Sequence, residues 1–313
     1  MANEKEKGKK TIGQFRRNQL IFIWSLLALP ILSWLVWYLY THIFNFIIAF
    51  QDPGTGDFSL INFETMWRSI FYPTNKFNSL QKGFSNTLSY FIVNNAVIFP
   101  LQILLSYFIY KRIFGFKFYR VVFYFPAIIS GVAMTQVFKA FIDPNGPLSE
   151  LLVSWGLGKL PDLLHNQDTV NQTLWVYVIY TGLAGRMLIT CGAMSRIPTE
   201  ILESGRLDGV GAWGEFIHII IPMISPTLST YLIMALSGIL GSTGPVLLLA
   251  KDVETLGTTT VNYWMFEKVW AGGNFGQGQY NLVSATSLTF AFMMMPIVLI
   301  GRKIIEKYCS VDF

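Results

Sequence analysis

Glu203, Ser204, Gly205, Arg206, Asp208 and Gly209 fall in one short polar stretch, Ile197-Pro198-Thr199-Glu200-Ile201-Leu202-Glu203-Ser204-Gly205-Arg206-Leu207-Asp208-Gly209. An acidic side chain on an exposed helix can pair with a base on another surface, and glycines let two backbones approach closely. Thr199 is placed to cap such a helix, Glu200 puts negative charge at the positive end of its dipole, and Gly209 suits the left-handed position that stops it. The stretch therefore predicts a helix over about 200–208. Beyond Gly211, the residues Trp213, Phe216, Ile217, Ile220 and Ile221 form an apolar stripe suited to a membrane face, and Pro222 marks entry into a long apolar run. On pattern alone the same features fit an amphipathic connector.

Other chemistries find little support. Gly8-Lys9-Lys10-Thr11 lacks the first glycine of a G-x-x-x-x-G-K-[ST] phosphate loop, so the chain is not expected to hydrolyse ATP itself. The glycine-rich stretch from Gly272 to Gly278 reads as a loop. His42, His165 and His218 are dispersed, as are Cys191 and Cys309, so neither a metal site nor a disulfide framework is expected. No nucleophile elbow occurs, and catalytic residues are expected to be absent. The net charge of +5 comes from basic clusters at the ends of apolar runs, which suits a membrane orientation signal better than nucleic-acid binding.

These residues belong to a chain of 313 residues that is 52% hydrophobic and 13% charged, with a mean hydropathy of +0.46. So few charges cannot cover a protein of this size with water-facing side chains, and much of its surface must face lipid. Runs near 20–41, 84–110, 118–141, 171–194, 226–249 and 281–304 are each long enough to cross about 30 Å of hydrocarbon. The expected fold is all-α: a polytopic membrane protein with six transmembrane helices and a cytoplasmic helix between the fourth and fifth. Pro30, Pro100, Pro126 and Pro296 lie inside these runs and predict kinks. Residues 1–18 read as a flexible basic cytoplasmic tail ahead of an uncleaved first anchor, and 19–313 as one transmembrane domain. Fifteen Lys and Arg residues lie on the side of the termini and six on the other, which places both termini in the cytoplasm. The connections near 51–83, 142–170 and 250–280 are too long for turns and are expected to carry short helices.

Glu203 is followed by two small residues, by Gly209 six positions on, and then, after nine more residues, by Ile219-x-Ile221-Pro222. This resembles the EAA loop of ATP-binding-cassette importer permeases: Glu-Ala-Ala, three residues, Gly, nine residues, Ile-x-Leu-Pro. Ile197-Pro198, Asp208-Gly209 and Trp213 are similar to the sugar-importer branch, whereas Ser204-Gly205 departs from Ala-Ala but stays small. The resemblance covers the whole chain. It implies a multi-pass permease subunit of a bacterial cytoplasmic membrane, forming half of the pathway for a sugar, with an oligosaccharide the expected size, in contact with membrane lipid and no nucleic acid. It implies as partners a second, different permease, two cytoplasmic ATPase subunits and an extracytoplasmic solute-binding protein. No cofactor is expected in this chain, ATP being bound by the ATPase subunits, and Glu203, Ser204, Gly205, Arg206, Asp208 and Gly209 would form the coupling element. The alternatives are a permease for a polyol, peptide or amino acid, and a six-span carrier or scaffold outside this family.

Ionisable residues are nearly missing from the apolar runs, which argues against a proton- or sodium-coupled carrier. Arg186 is the exception, and reads as a structural residue that snorkels to headgroups or faces the bundle. The resemblance implies a polar cavity on the third, fourth and fifth runs, where Ser130, Gly131, Val178, Thr181, Gly182, Ser242, Thr243 and Gly244 offer room and hydroxyls. The same residue types pack membrane helices together, and both readings stand. In the last long connection Trp264, Phe266, Trp270 and Phe275 suit either docking of the solute-binding protein or an interfacial aromatic belt. Single cysteines placed at Gly8 and Lys307 should label only from the cytoplasm, and at Asp162 and Gly273 only from outside. Reversal of any one of the four would refute the six-span topology.

Overall fold

A computed structural model describes residues 2–74, 76, 79–241, 245–250, 256–271 and 277–309, with side chains from Arg16 onward except those of 271–278 and 308–309. The chain forms two compact units, residues 1–63 with 276–288, and residues 64–275 with 289–313. Among the described residues every regular element is helical, and the only pairing of extended chain noted is an isolated antiparallel bridge between Gln51 and Phe58.

In the first unit α1 (Ala2–Trp34), a π-helical turn (Leu35–Leu39) and α2 (Tyr40–Ala49) run end to end. The backbone is helical from Ala2, where a flexible tail over 1–18 was expected. Past Ala49 the chain turns at Asp52, whose Oδ1 accepts from the Gly54 N–H at 2.7 Å. The Asn62 amide donates to the carbonyls of Ala49 at 3.0 Å and Gln51 at 2.8 Å, and the Asn281 amide donates to Gln51 at 2.6 Å. The helix end is thereby left with few orphan carbonyls.

The following elements are α3 (Ile61–Phe71), α4 (Leu80–Ile92), a π-helical turn (Val93–Ile98), α5 (Phe99–Tyr110), α6 (Phe116–Ile128), α7 (Gly131–Ile142), α8 (Pro147–Ser154), α9 (Val170–Met194) and α10 (Thr199–Leu207). Then come α11 (Ala212–Gly214), a π-helical turn (Glu215–Ile220), α12 (Ile221–Met223), α13 (Ser225–Ser237), α14 (Val246–Leu249), α15 (Val261–Phe266), a last π-helical turn (Glu267–Ala271) and α16 (Gln277–Cys309). The turns at Val93–Ile98 and Glu215–Ile220 lie just ahead of Pro100 and Pro222. A proline has no N–H for the carbonyl four residues back, and the wider turn accommodates the fault without ending the helix.

Among the described residues four stretches are long and apolar enough to cross a membrane unbroken: Arg16–Ala49, Leu80–Tyr110, Val170–Met194 and Gln279–Lys307. Two more count only as bent pairs. The run expected over 118–141 breaks into Phe116–Ile128 and Gly131–Ser154 with a bend of 114°. The break falls at Ile129 and Ser130, both extended, and the Ser130 hydroxyl caps α7 by accepting from the Ala133 N–H at 3.2 Å. The run expected over 226–249 is corrected more strongly. Its helix stops at Ser237 and a single turn follows at Val246–Leu249, while Ala212–Met223 joins Ser225–Ser237 at 68°. Gly238, Gly241 and Pro245 each disfavour a continuous helix there.

The second unit buries two apolar clusters. One gathers Tyr90, Met134, Ile142, Leu174, Tyr177, Val246, Leu249 and Tyr263; the other gathers Phe99, Ile103, Tyr107, Met194, Leu202, Phe216, Ile220 and Tyr231. Between Leu256 and Tyr263 of the first cluster the chain from Gly257 to Thr260 is non-helical, with Thr258, Thr259 and Thr260 fully buried. The Asn86 amide donates to the carbonyls of Gly257 at 2.8 Å and Thr259 at 2.7 Å, and Thr87 Oγ1 accepts from the Val261 N–H at 3.1 Å. Gly83 makes the approach close enough, since a Cβ there would stand 3.1 Å from backbone atoms of Thr260 and Val261. Asn86→Leu strands the Gly257 and Thr259 carbonyls away from water and should cost about 1–3 kcal/mol. Thermal unfolding in detergent measures that loss, and a wild-type transition would refute the staple.

Candidate functional site

Helix α10 sits one residue ahead of expectation. Pro198, not Thr199, is its cap residue, and with a ψ of 135° Pro198 turns the chain into the helix earlier than a Thr199 cap would. At the other end Gly209 has a φ of +77°, its N–H donates to the Arg206 carbonyl at 3.0 Å, and the Val210 N–H donates to Gly205 at 3.0 Å. This pair of bonds is a Schellman stop, and the left-handed residue in it favours glycine.

The helix has an inner and an outer face. Leu202 and Gly205 are buried, whereas Glu200, Glu203, Ser204, Arg206, Asp208 and Gly209 are exposed and Leu207 is 90% exposed. Gly205 corrects an expectation, because it faces the chain's own interior rather than a docking surface. A Cβ there would come within 2.6 Å of Ile219 Cδ1. The departure from Ala at Gly205 is thus matched by Ile219 of the same motif. The apolar stripe after Gly211 is also divided: Phe216 and Ile220 enter the second cluster, while Trp213 and Ile217 remain exposed.

Glu215 fixes this loop to the bundle. It is 4% exposed, forms an ion pair with Lys111, which follows α5, and stands 3.7 Å from Arg206 Nε on α10. The Tyr107 hydroxyl adds a hydrogen bond to the Ala212 carbonyl at 2.9 Å. Of the six residues singled out on this loop, only Arg206 makes an ion pair; among the described residues Glu203 and Asp208 make none. Leu207, Glu215 and Lys111 escaped sequence reading, because Glu215 lies inside what looked like a membrane-facing stripe and its partners are distant in the chain.

A cavity of about 170 Å³ opens between the two clusters. Its polar lining is Thr87, Tyr90, Asn94 and Asn95 from the second run and Arg186 from α9, and Met234, Ala235, Gly238 and Ile239 also line it. Ser130, Gly131, Val178, Thr181 and Gly182, expected along a substrate path, are not among the residues that line this cavity. Ser130 spends its hydroxyl on the α7 cap, and Gly131 faces open space. The Thr181 hydroxyl donates back to the Tyr177 carbonyl at 2.9 Å, Val178 packs on the first cluster, and Gly182 lets Ile98 approach. Ser242, Thr243 and Gly244 lie outside the described residues. The pair Asn94-Asn95 inside an apolar run was the available signal for the second run's part. Arg186 faces the bundle, its guanidinium 5.5 Å over the Tyr231 ring.

Of the aromatic residues in the last connection, Trp264 is 3% exposed and so cannot form a docking surface, whereas Phe266 is 37% and Trp270 67% exposed. Phe275 lies outside the described residues. Glu215→Ala leaves Lys111 without its buried partner and should destabilise the α10 loop by about 3–5 kcal/mol. Limited proteolysis between α9 and α13 reports this. The pairwise replacement Glu215→Leu with Lys111→Met should recover most of the loss, and equal cleavage of wild type and Glu215→Ala would discount the tether.

No protein-family model matches the chain. A permease for polygalacturonan and rhamnogalacturonan transport from Bacillus subtilis is 26% identical over 314 residues, covering 97% of this chain and 93% of the relative. A probable permease for starch degradation products from Thermoanaerobacterium thermosulfurigenes is 26% identical over 232 residues, covering 69% and 72%. The crystal structure of a bacterial alginate transporter in complex with its pentasaccharide-bound periplasmic protein includes a chain that superposes with a TM-score of 0.80 at 20% identity, covering 96% of this chain and 98% of that one. The chain is thus similar along most of its length to permeases of carbohydrate transport systems, and it shares the fold of a solved alginate transporter chain.

Proposed function

We propose that the chain forms half of the translocation pathway of an importer for a sugar, with an oligosaccharide as the substrate size. It works beside a second, different permease and holds no cofactor, ATP being bound by two ATPase subunits on the cytoplasmic side. The observation that carries this reading is the α10 loop. Its inner face is anchored by Leu202, Gly205 and the Glu215 ion pairs, and its outer face offers Glu203, Ser204, Leu207 and Asp208 to another surface. A lone exposed leucine is unremarkable on a soluble protein. At the tip of a rigidly held helix flanked by carboxylates, it supplies an apolar knob within an acidic rim, which suits a groove with basic edges.

In this reading the membrane is the bacterial cytoplasmic membrane and six spans cross it, counting each bent pair as one. The excess of Lys and Arg on the side of α10 puts that helix and both termini in the cytoplasm. The long connections face outward, where Phe266 and Trp270 offer aromatic area to a solute-binding protein. The saccharide passes by the cavity between the two clusters, with the hydroxyl and glycine positions of the third to fifth runs, including Ser130 and Ser242 to Gly244, along the same route.

Glu203→Lys and Leu207→Glu change only exposed side chains. Both should leave the helix content and thermal unfolding of the permease unchanged yet reduce co-purification of the ATPase subunits and uptake of an oligosaccharide panel by the reconstituted assembly by about tenfold or more. Gly209→Val should do the same by distorting the helix stop, since a β-branched residue is strained at positive φ. Wild-type ATPase binding and uptake in all three would remove the basis for α10 as the coupling element.

A further inference from the structure

Arg186 lies on a membrane-length helix with eight residues, or roughly 12 Å of rise, between it and the end at Met194. Its guanidinium does not extend to that end but stands over Tyr231 and lines the cavity. No carboxylate among the described residues is within ion-pair distance of it. None is in reach by sequence either, because Leu80–Tyr110, Val170–Met194 and Ser225–Ser237 contain no Asp or Glu. An unpaired charge at this depth costs several kcal/mol against lipid, so such a residue faces a polar path or a partner group.

Two buried atoms around the same cavity make no hydrogen bond. They are the hydroxyl of Tyr90, a residue 2% exposed, and Asn95 Oδ1. Asn95 already uses its amide nitrogen on the Phe91 carbonyl at 2.8 Å, which leaves the oxygen as an acceptor. The cavity therefore presents a fixed cation, a free acceptor and a hydroxyl able to do either. A carboxylate matches the planar guanidinium fork, and sugar hydroxyls match Asn95 Oδ1 and Tyr90.

We propose that this cavity is a subsite for an anionic saccharide, one bearing a carboxylate as in a hexuronate unit, with Arg186 as its charge-recognising residue. The proposal rests on the reading of the chain as a sugar permease and adds the substrate's charge to it. A neutral sugar would leave the guanidinium unpaired in a low-dielectric path, and the selectivity follows from that cost.

The test uses the purified permease–ATPase assembly without the solute-binding protein, so that any preference belongs to the membrane path. Its probes are a hexuronate trisaccharide and the same trisaccharide with its carboxyl groups reduced to alcohols. The wild type should bind the acidic probe more tightly. Arg186→Gln should weaken that binding about ten- to hundredfold while changing the neutral probe less than twofold, and Arg186→Lys should recover part of the loss. Tyr90→Phe should weaken both probes alike by a few fold. Equal weakening of both probes by Arg186→Gln would overturn the proposal. So would loss of the second permease from the Arg186→Gln assembly, which would assign the charge to a subunit interface. Wild-type preference for the neutral probe would reject the anionic substrate and keep the sugar reading; failure of the complete assembly to take up either probe or any oligosaccharide would reject both.

Discussion

A peptide group in hydrocarbon has no water to bond, and every irregularity in this bundle is built around that constraint. Where α4 runs into Pro100 and the α11 segment into Pro222, π-helical turns keep the backbone paired across the residue that cannot donate. Where the chain leaves helical form at Ile129 and Ser130, the Ser130 hydroxyl accepts from the Ala133 N–H, one of the free donors in the first turn of α7. Where a non-helical segment, Gly257 to Thr260, is buried, Asn86 serves two of its carbonyls and Thr87 the next N–H. The polar residues of the apolar runs are thus largely committed to backbone. A polar atom in the interior that is not so committed stands out, as with Tyr90 and Asn95 beside Arg186.

The same logic separates two kinds of small residue. Gly83, Gly182 and Gly205 are small because Thr260, Ile98 and Ile219 occupy the space a side chain would need. Gly209 is there for its dihedral angle, with open space around its Cβ position. A pattern that spells small residues at fixed spacing is therefore satisfied for different physical reasons at each position. In the α10 loop the inner side of the helix is packed at Leu202 and Gly205, while Arg206 on its outer side reaches Glu215, which pairs with Lys111 beyond α5.

The second unit holds two apolar clusters, one including Tyr177 and Leu249, the other including Ile220 and Met194. The polar cavity lies where they part, with Tyr90 from the first and Arg186 over Tyr231 of the second. Two packed bodies with a polar seam between them form an arrangement in which a path can widen without disrupting either core.

Composition and spacing alone determined much of this protein. The scarcity of charge required a lipid-facing surface, four of the six apolar runs appear as unbroken helices, and the Glu203 to Pro222 spacing carried the resemblance to importer permeases. These are properties that local period and hydropathy encode, since each depends on residues close in sequence. Tertiary structure alone decided the rest. The breaks in the third and fifth runs, the inward turn of Gly205, the burial of Trp264 and the meeting of Glu215 with Lys111 and Arg206 all depend on which distant residue occupies the neighbouring space. Arg186 shows the division most plainly: its depth in an apolar run was legible from the sequence, but whether it faced lipid, headgroup or cavity was settled only by the helices packed around it.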